Sequence, residues 1–312
     1  MAHTQSQRLA YGNTLVELAK ENNNIVVLEA DLSKSTMGSI FEAEFPERFF
    51  EMGIAEANMA SAAAGLALEG FIPFMATFAV FATGRCYDQI RTGICIPKLN
   101  VKICGSSAGL SDYGDGSTHQ SVDDIALMRV LPNMQVFSPA DSVQLTQIIK
   151  YMAEHHGPMY IRVNRNELPI YTDEAASFDP KRAYLLKEGS DAAIFATGSM
   201  VHRAIEASRL LEAEGISARV INVPTLKPMY AEELKPLAHG VKALVSAEEH
   251  SRIGGLGAAL AELFKDMPHP PLDILALDDV FGTSALNYEE LLVHYGLTAA
   301  NLRTIIKHRL AQ

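Results

Sequence analysis

Short apolar runs of strand length, among them NIVVLEA (24–30), NVKICG (100–105) and MQVFSP (134–139), alternate with stretches such as TLVELAKE and SVQLTQIIKYMAEH, where apolar positions recur at helical spacing. Alternation of this kind predicts a mostly parallel sheet with helices on both faces. The rhythm lapses across ELPIYTDEAASFDPKRAY (167–184), a polar, proline-containing stretch, and resumes with DAAIFATGS, ARVINVPTLKP, KALVSAEEH and GGLGAALAELF. We therefore expect two doubly wound α/β domains, one over 1–172 and a smaller one over 185–312, joined by a linker at 173–184. Small residues dominate EANMASAAAGLALEG (56–70), which predicts a helix packed closely against either the core or a second subunit.

Length and composition support this picture. The chain has 312 residues, 48% of them hydrophobic, enough to fill two cores. A formal net charge of -11 and a pI near 5.4 argue against nucleic acid or an anionic membrane as the main partner, while leaving room for a local basic pocket. The stretch MAHTQSQRLAYGN lacks an apolar leader core and no apolar run is long enough to span a bilayer, so a cytoplasmic location is expected. Cys86, Cys95 and Cys104 are odd in number and fit neither a Cys-x-x-Cys metal site nor a disulfide framework, and are read as reduced core thiols.

The candidate chemistry is scattered. Glu56 is the charge that opens the Ala-rich helix, and reads either as a residue meeting the helix dipole or as a buried carboxylate able to exchange a proton with a heterocycle. In FIPFMATFAVFATGRCYDQIR, Phe74, Phe78 and Phe81 have helical spacing, which suits a core face, or in part a wall for a flat ring. Gly-Asp-Gly at 114–116 invites a diphosphate and metal reading, but the ion wants further oxygen ligands and 139–146 reads PADSVQLT, without Asn. Asp141 there suits a helix cap. Gly114 and Gly116 then serve to bring Asp115 and His119 into a cleft. Arg165 follows a predicted strand, as do Asp31, Ser33 and Ser35 in EADLSKST, so all lie where a parallel sheet forms its ligand crevice. An arginine there suits phosphate or carboxylate, or a surface ion pair. RIGGLGAAL lacks Gly-x-Gly-x-x-Gly spacing and reads as a close helix-to-strand approach rather than a nucleotide loop.

Taken in order, QRLAYGNTLVELA, EADLSKST, GIAEANMASAAAGLAL, FMATFAVFATGRCYDQIR, GDGSTHQSVDDIALMRVLPNMQVFSPAD, YIRVNRNELP and SAEEHSRIGGLGAAL resemble the C-terminal half of the transketolase family nearly end to end. The resemblance implies a thiamine-diphosphate pyrimidine-binding domain followed by a Rossmann-like transketolase C-terminal domain. It makes Glu56 the glutamate that bonds the aminopyrimidine and activates the cofactor for two-carbon ketol transfer from a ketose to an aldose. Glu56 and His119 fall on catalytic positions; Phe81 and Phe78 on the wall of the pyrimidine; Asp31 near the cofactor; Asp115 and His119 along the sugar; Arg8, Ser35, Ser107 and Arg165 at the phosphate end.

Two departures stand out: Ser107 occupies the place of the histidine usual in sugar-phosphate members, and Tyr-Gly-Asp-Gly replaces Gly-Glu-Asp-Gly. A serine donates one hydrogen bond but brings no charge, which leaves a branched sugar phosphate or another anionic tail open. The family's N-terminal domain is missing from this sequence. The resemblance therefore implies a split enzyme, in which an N-terminal transketolase subunit supplies the diphosphate site and its Mg2+ or Ca2+, thiamine diphosphate is shared between the chains, this chain holds no metal, and the assembly is α2β2. Other family branches, the deoxyxylulose-phosphate synthases and the 2-oxoacid dehydrogenase beta subunits, are the alternative enzyme readings. A non-catalytic scaffold subunit is the alternative from another class, and it would need none of Glu56, Phe81, Asp115, His119 and Arg165.

Overall fold

The computed structural model describes residues 4–312. Its larger sheet has seven strands, in spatial order Thr225–Lys227, Gln135–Phe137, Met159–Arg162, Lys102–Ser106, Ile72–Phe78, Ile25–Glu29 and Phe49–Glu51. All neighbours run parallel except Thr225–Lys227, which pairs antiparallel at one edge. The inner strands are buried over all or nearly all of their length, IVVLE and KICGS completely, as expected of a parallel sheet covered by helices on both sides. Phe74 and Phe78 lie on the Ile72–Phe78 strand and Phe81 on the helix Ala79–Gly84, so the helical spacing of the three aromatics spans a strand end and a new helix rather than one helix face.

The second sheet has five strands, in order Leu272–Leu277, Ala243–Ser251, Ala192–Ala196, Ala218–Asn222 and Tyr184–Lys187, the last antiparallel. The helix Leu256–Phe264 lies close on it: a Cβ at Gly257 would strike Ser246 and Ile274, which is the use the RIGGLGAAL glycines have. Asp141 caps the helix Ser142–Glu154, accepting from the Gln144 N–H at 2.9 Å. Its other oxygen accepts from the N–H groups of Tyr171 and Thr172 at 2.8 and 2.9 Å, fixing the chain as it leaves the first sheet. The three cysteines are free and buried.

The halves share more than a covalent connection. The Thr225–Lys227 edge strand of the larger sheet comes from sequence that lies among the second-sheet strands. Between the sheets lies a buried polar group: Arg162 bonds Asp124 through Nε at 2.8 Å, and its Nη2 donates to the Glu249 carbonyl at 2.8 Å. The Glu249 carboxylate, fully buried, accepts from the Leu110 N–H, Ser199 and Tyr288. Buried polar groups satisfied this fully set one docking geometry.

Candidate active site

The parallel strands of the larger sheet deliver most of the candidate residues at their carboxyl ends. Glu56 follows Phe49–Glu51 and opens the helix Glu56–Leu68; Phe81 follows Ile72–Phe78; Asp115 and His119 lie in the 107–123 loop after Lys102–Ser106; Arg165 follows Met159–Arg162. In this architecture that edge is where ligand crevices form.

Glu56 is 4% exposed. Its Oε1 accepts from Arg85 Nη1 at 2.7 Å, and the Arg85 guanidinium lies over the Phe81 ring, 3.9 Å from the centroid. Phe81 and Phe78 stack with centroids 6.1 Å apart and planes 15° from parallel. His119 stands edge-on to both rings, at 5.3 Å from Phe81 and 6.1 Å from Phe78, with Nδ1 bonded to the Thr118 hydroxyl at 2.9 Å. A buried carboxyl beside stacked aromatic faces suits a flat heterocycle with a basic ring nitrogen.

The line continues beyond Phe78. The Arg165 guanidinium is 5.7 Å from the Phe78 centroid, and Nη1 bonds Asp112 Oδ2 at 3.0 Å. Arg8, in the first turn of the helix Gln7–Glu21, donates from Nε to the Arg165 carbonyl at 3.2 Å and from Nη1 to the Ser35 carbonyl at 2.7 Å. Burial, and then the adjacent Arg165 cation, hold the Arg8 pKa below its usual value, with Asp112 opposing. Glu56, Arg85, Phe81, Phe78, His119, Arg165, Arg8 and Ser35 thus form one continuous chain of contacts, with a carboxyl at one end and the Arg165–Arg8 pair toward the other.

Three candidates sit differently. Asp115 is exposed at the start of the short turn Gly116–Thr118, and Gly116 takes φ +74 against Ser284 of the second half, where a side chain would collide. Asp31 is exposed with φ +59, and its N–H donates to Glu51 Oε1 at 2.7 Å, so its described contact is with Glu51 rather than with the aromatic cluster. Ser107 is fully buried with φ +53 and its hydroxyl has no partner. Two cavities lie elsewhere, one of about 650 Å³ beside Leu286 and His294 and one of about 580 Å³ beside Lys150 and Phe178. Chemistry and the contacts among the aromatics, not volume, locate the site. Among the described residues no cluster of three or more His, Cys, Asp or Glu side chains is placed to hold a metal ion, and no helix is long and apolar enough to cross a membrane.

Two residues in contact with the candidate site escaped the sequence reading. Arg85 is the cation directly after the aromatic run FMATFAVFATG, and Asp112 is the first of the two carboxylates of GLSDYGDG. An uncompensated charge inside an apolar or glycine-rich stretch was the available signal for both.

Residues 3–170 match the transketolase pyrimidine binding domain and 181–302 the transketolase C-terminal domain. The chain belongs to the transketolase family. Two of its relatives are named as a section or a subunit of a transketolase. A putative transketolase C-terminal section from Methanocaldococcus jannaschii is 42% identical over 96% of this chain and 94% of its own length. A 6-deoxy-6-sulfo-D-fructose transketolase subunit from a Clostridium species is 39% identical over 95% of this chain and 91% of its own. Among solved structures, a split-gene transketolase described as an inactive beta4 tetramer superposes with TM-score 0.89 at 49% identity, covering 99% of each chain. This transketolase chain is thus a C-terminal section of the split type, in a family that depends on thiamine diphosphate.

Proposed function

We propose that this chain supplies the pyrimidine half of the active site of a two-component transketolase, active only with an N-terminal subunit that brings the diphosphate site and its Mg2+ or Ca2+, in an α2β2 assembly in the cytoplasm. The observation that supports this best is the buried Glu56 carboxyl beside the stacked Phe78 and Phe81 rings, continued by His119 toward Arg165 and Arg8. In this reading residues 1–172 carry the site and 185–312 brace it across the 173–184 linker.

Thiamine diphosphate, when bound, supplies the electron sink that carries a two-carbon ketol unit. This chain's residues do the rest of its half. Glu56 bonds a ring nitrogen and exchanges a proton there. Phe81 and Phe78 wall the ring and exclude water, with Asp31 at the margin of the cofactor. Arg85, which now holds Glu56 and covers Phe81, swings off through its half-exposed arm to admit the ring. His119 and Asp115 bond the hydroxyl and carbonyl oxygens of the sugar. Arg165, Arg8, Ser35 and Ser107 form the anion end, for a ketose with a charged tail; the Clostridium relative is named for a sulfonated sugar, which supports reading that tail more broadly than phosphate.

Mixing tests the split directly. The chain alone is expected to show no ketol transfer and little thiamine diphosphate binding, and an N-terminal transketolase section from the same organism is expected to restore both. Strong activity from the chain alone would refute the shared site.

A further inference from the structure

The anion end carries a counter-charge of its own. Asp112 is 3% exposed and bonds Arg165 Nη1 at 3.0 Å. Both partners are pinned through their backbones. The Arg165 N–H donates to Ser111 Oγ at 3.3 Å, and the Asp112 carbonyl accepts from Gln120 Nε2 at 3.1 Å. Gln120 in turn donates to the Thr283 carbonyl at 2.9 Å. Pulling Arg165 away would strand a buried carboxylate, a costly state. An incoming anion must therefore use the remaining N–H groups of Arg165 while Asp112 stays bonded.

We propose that Asp112 is a specificity-determining residue, a built-in counter-ion that tunes the anion end to a monoanionic tail such as a sulfonate in preference to a dianionic phosphate ester. The proposal rests on the reading of Arg165 as the anion end. Arg8 and Arg165 set against Asp112 leave one net positive charge, and Ser107 adds none. Asp115 is exposed, so solvent and salt screen it. A phosphate ester brings about -1.5 to -2 at neutral pH, and its second charge faces the Asp112 carboxylate. A sulfonate offers three acceptor oxygens with a single charge, which the site's one net charge matches. Burial raises the Asp112 pKa and Asp115 adds to the rise, while the Arg165 cation and His119 pull it down.

The test is kcat/KM of the assembled enzyme, near pH 8 so that phosphate is fully dianionic, for one ketose skeleton ending either in a sulfonate or in a phosphate. Wild type is expected to favour the sulfonate by about tenfold or more, and Asp112→Asn to move that ratio about tenfold toward phosphate. Asp112→Glu, which restores the charge, is expected to keep the wild-type ratio, and Arg165→Ala to weaken both substrates. A wild-type preference for phosphate overturns the proposal without any variant. So does an Asp112→Asn enzyme that loses both substrates alike. If the ratio stays put while Arg165→Ala loses both, the counter-ion role alone fails; if Arg165→Ala changes neither, the anion end itself has been misplaced and the proposal goes with it.

Discussion

Two arginines flank the stacked rings of Phe78 and Phe81, and each faces a ring while bonding a buried carboxylate. Arg85 lies 3.9 Å over Phe81 and bonds Glu56; Arg165 lies 5.7 Å from Phe78 and bonds Asp112. The carboxylates are alike, with side chains 5% and 4% exposed, but the arginines are 49% and 32% exposed. Arg165 is also held at its backbone from both sides, by Ser111 and by Arg8. Arg85 sits where the short helix Ala79–Gly84 ends, and its described side-chain contacts are Glu56 and Phe81. The same pair of charges thus makes a releasable latch at one end of the site and a fixture at the other. Arg85 too bonds through its N–H, to the Phe81 carbonyl at 3.1 Å, so what separates them is the greater exposure of the Arg85 arm and the second backbone bond at Arg165, not the burial of the acid.

Substitution at Glu56 breaks the comparison hardest. Glu56→Gln keeps the helix start but removes the exchangeable charge, and kcat of the assembled enzyme is expected to fall by about 10²–10⁴-fold; steady-state rates near wild type would return Glu56 to a helix-dipole role. Arg162 and Asp124 provide a third pair, 7% and 0% exposed and outside the site, as a control for burial alone. Arg162→Met is expected to cost about 3–5 kcal/mol in denaturant unfolding, because it strands Asp124. At the fixture, Arg165→Ala is expected to raise KM for an anionic ketose by about tenfold while leaving an uncharged ketose little changed. Equal effects on the two substrates would make Arg165 structural. The latch gives the smallest effect. The Arg85 arm of this pair is half-exposed while Glu56 is buried, and a bond made by so exposed an arm contributes about 0.2–1 kcal/mol, so Arg85→Met is expected to tighten thiamine diphosphate binding in the assembled enzyme by about fivefold or less. Weaker binding, measured by calorimetry, would place Arg85 among the groups that hold the ring.

Periodicity and residue type carried the fold well because parallel strands buried on both faces are mostly apolar, and NIVVLEA and NVKICG are, with Glu29 and Lys102 as buried exceptions. Glu56, Phe81, His119 and Arg165 were legible because each follows a strand that ends at the same sheet edge. Arg85 and Asp112 were not. Their partners lie 29 and 53 residues away, and no spacing rule links a helix end to another helix start across a sheet. The Thr225–Lys227 strand was unreadable for a related reason: three residues carry too little pattern to say which sheet they will join.

Gly282 and Gln120 belong to opposite halves of the chain, and a side chain at Gly282 would collide with the Gln120 amide; Ala285 N–H also donates to the Tyr113 carbonyl at 2.9 Å. The loop that carries Asp112, Asp115 and His119 is therefore held in shape by sequence that lies outside the candidate site. For anyone dividing or recombining these genes, the linker at 173–184 is a poor cutting point. A fragment ending there would keep every candidate residue and lose the brace that keeps three of them in register.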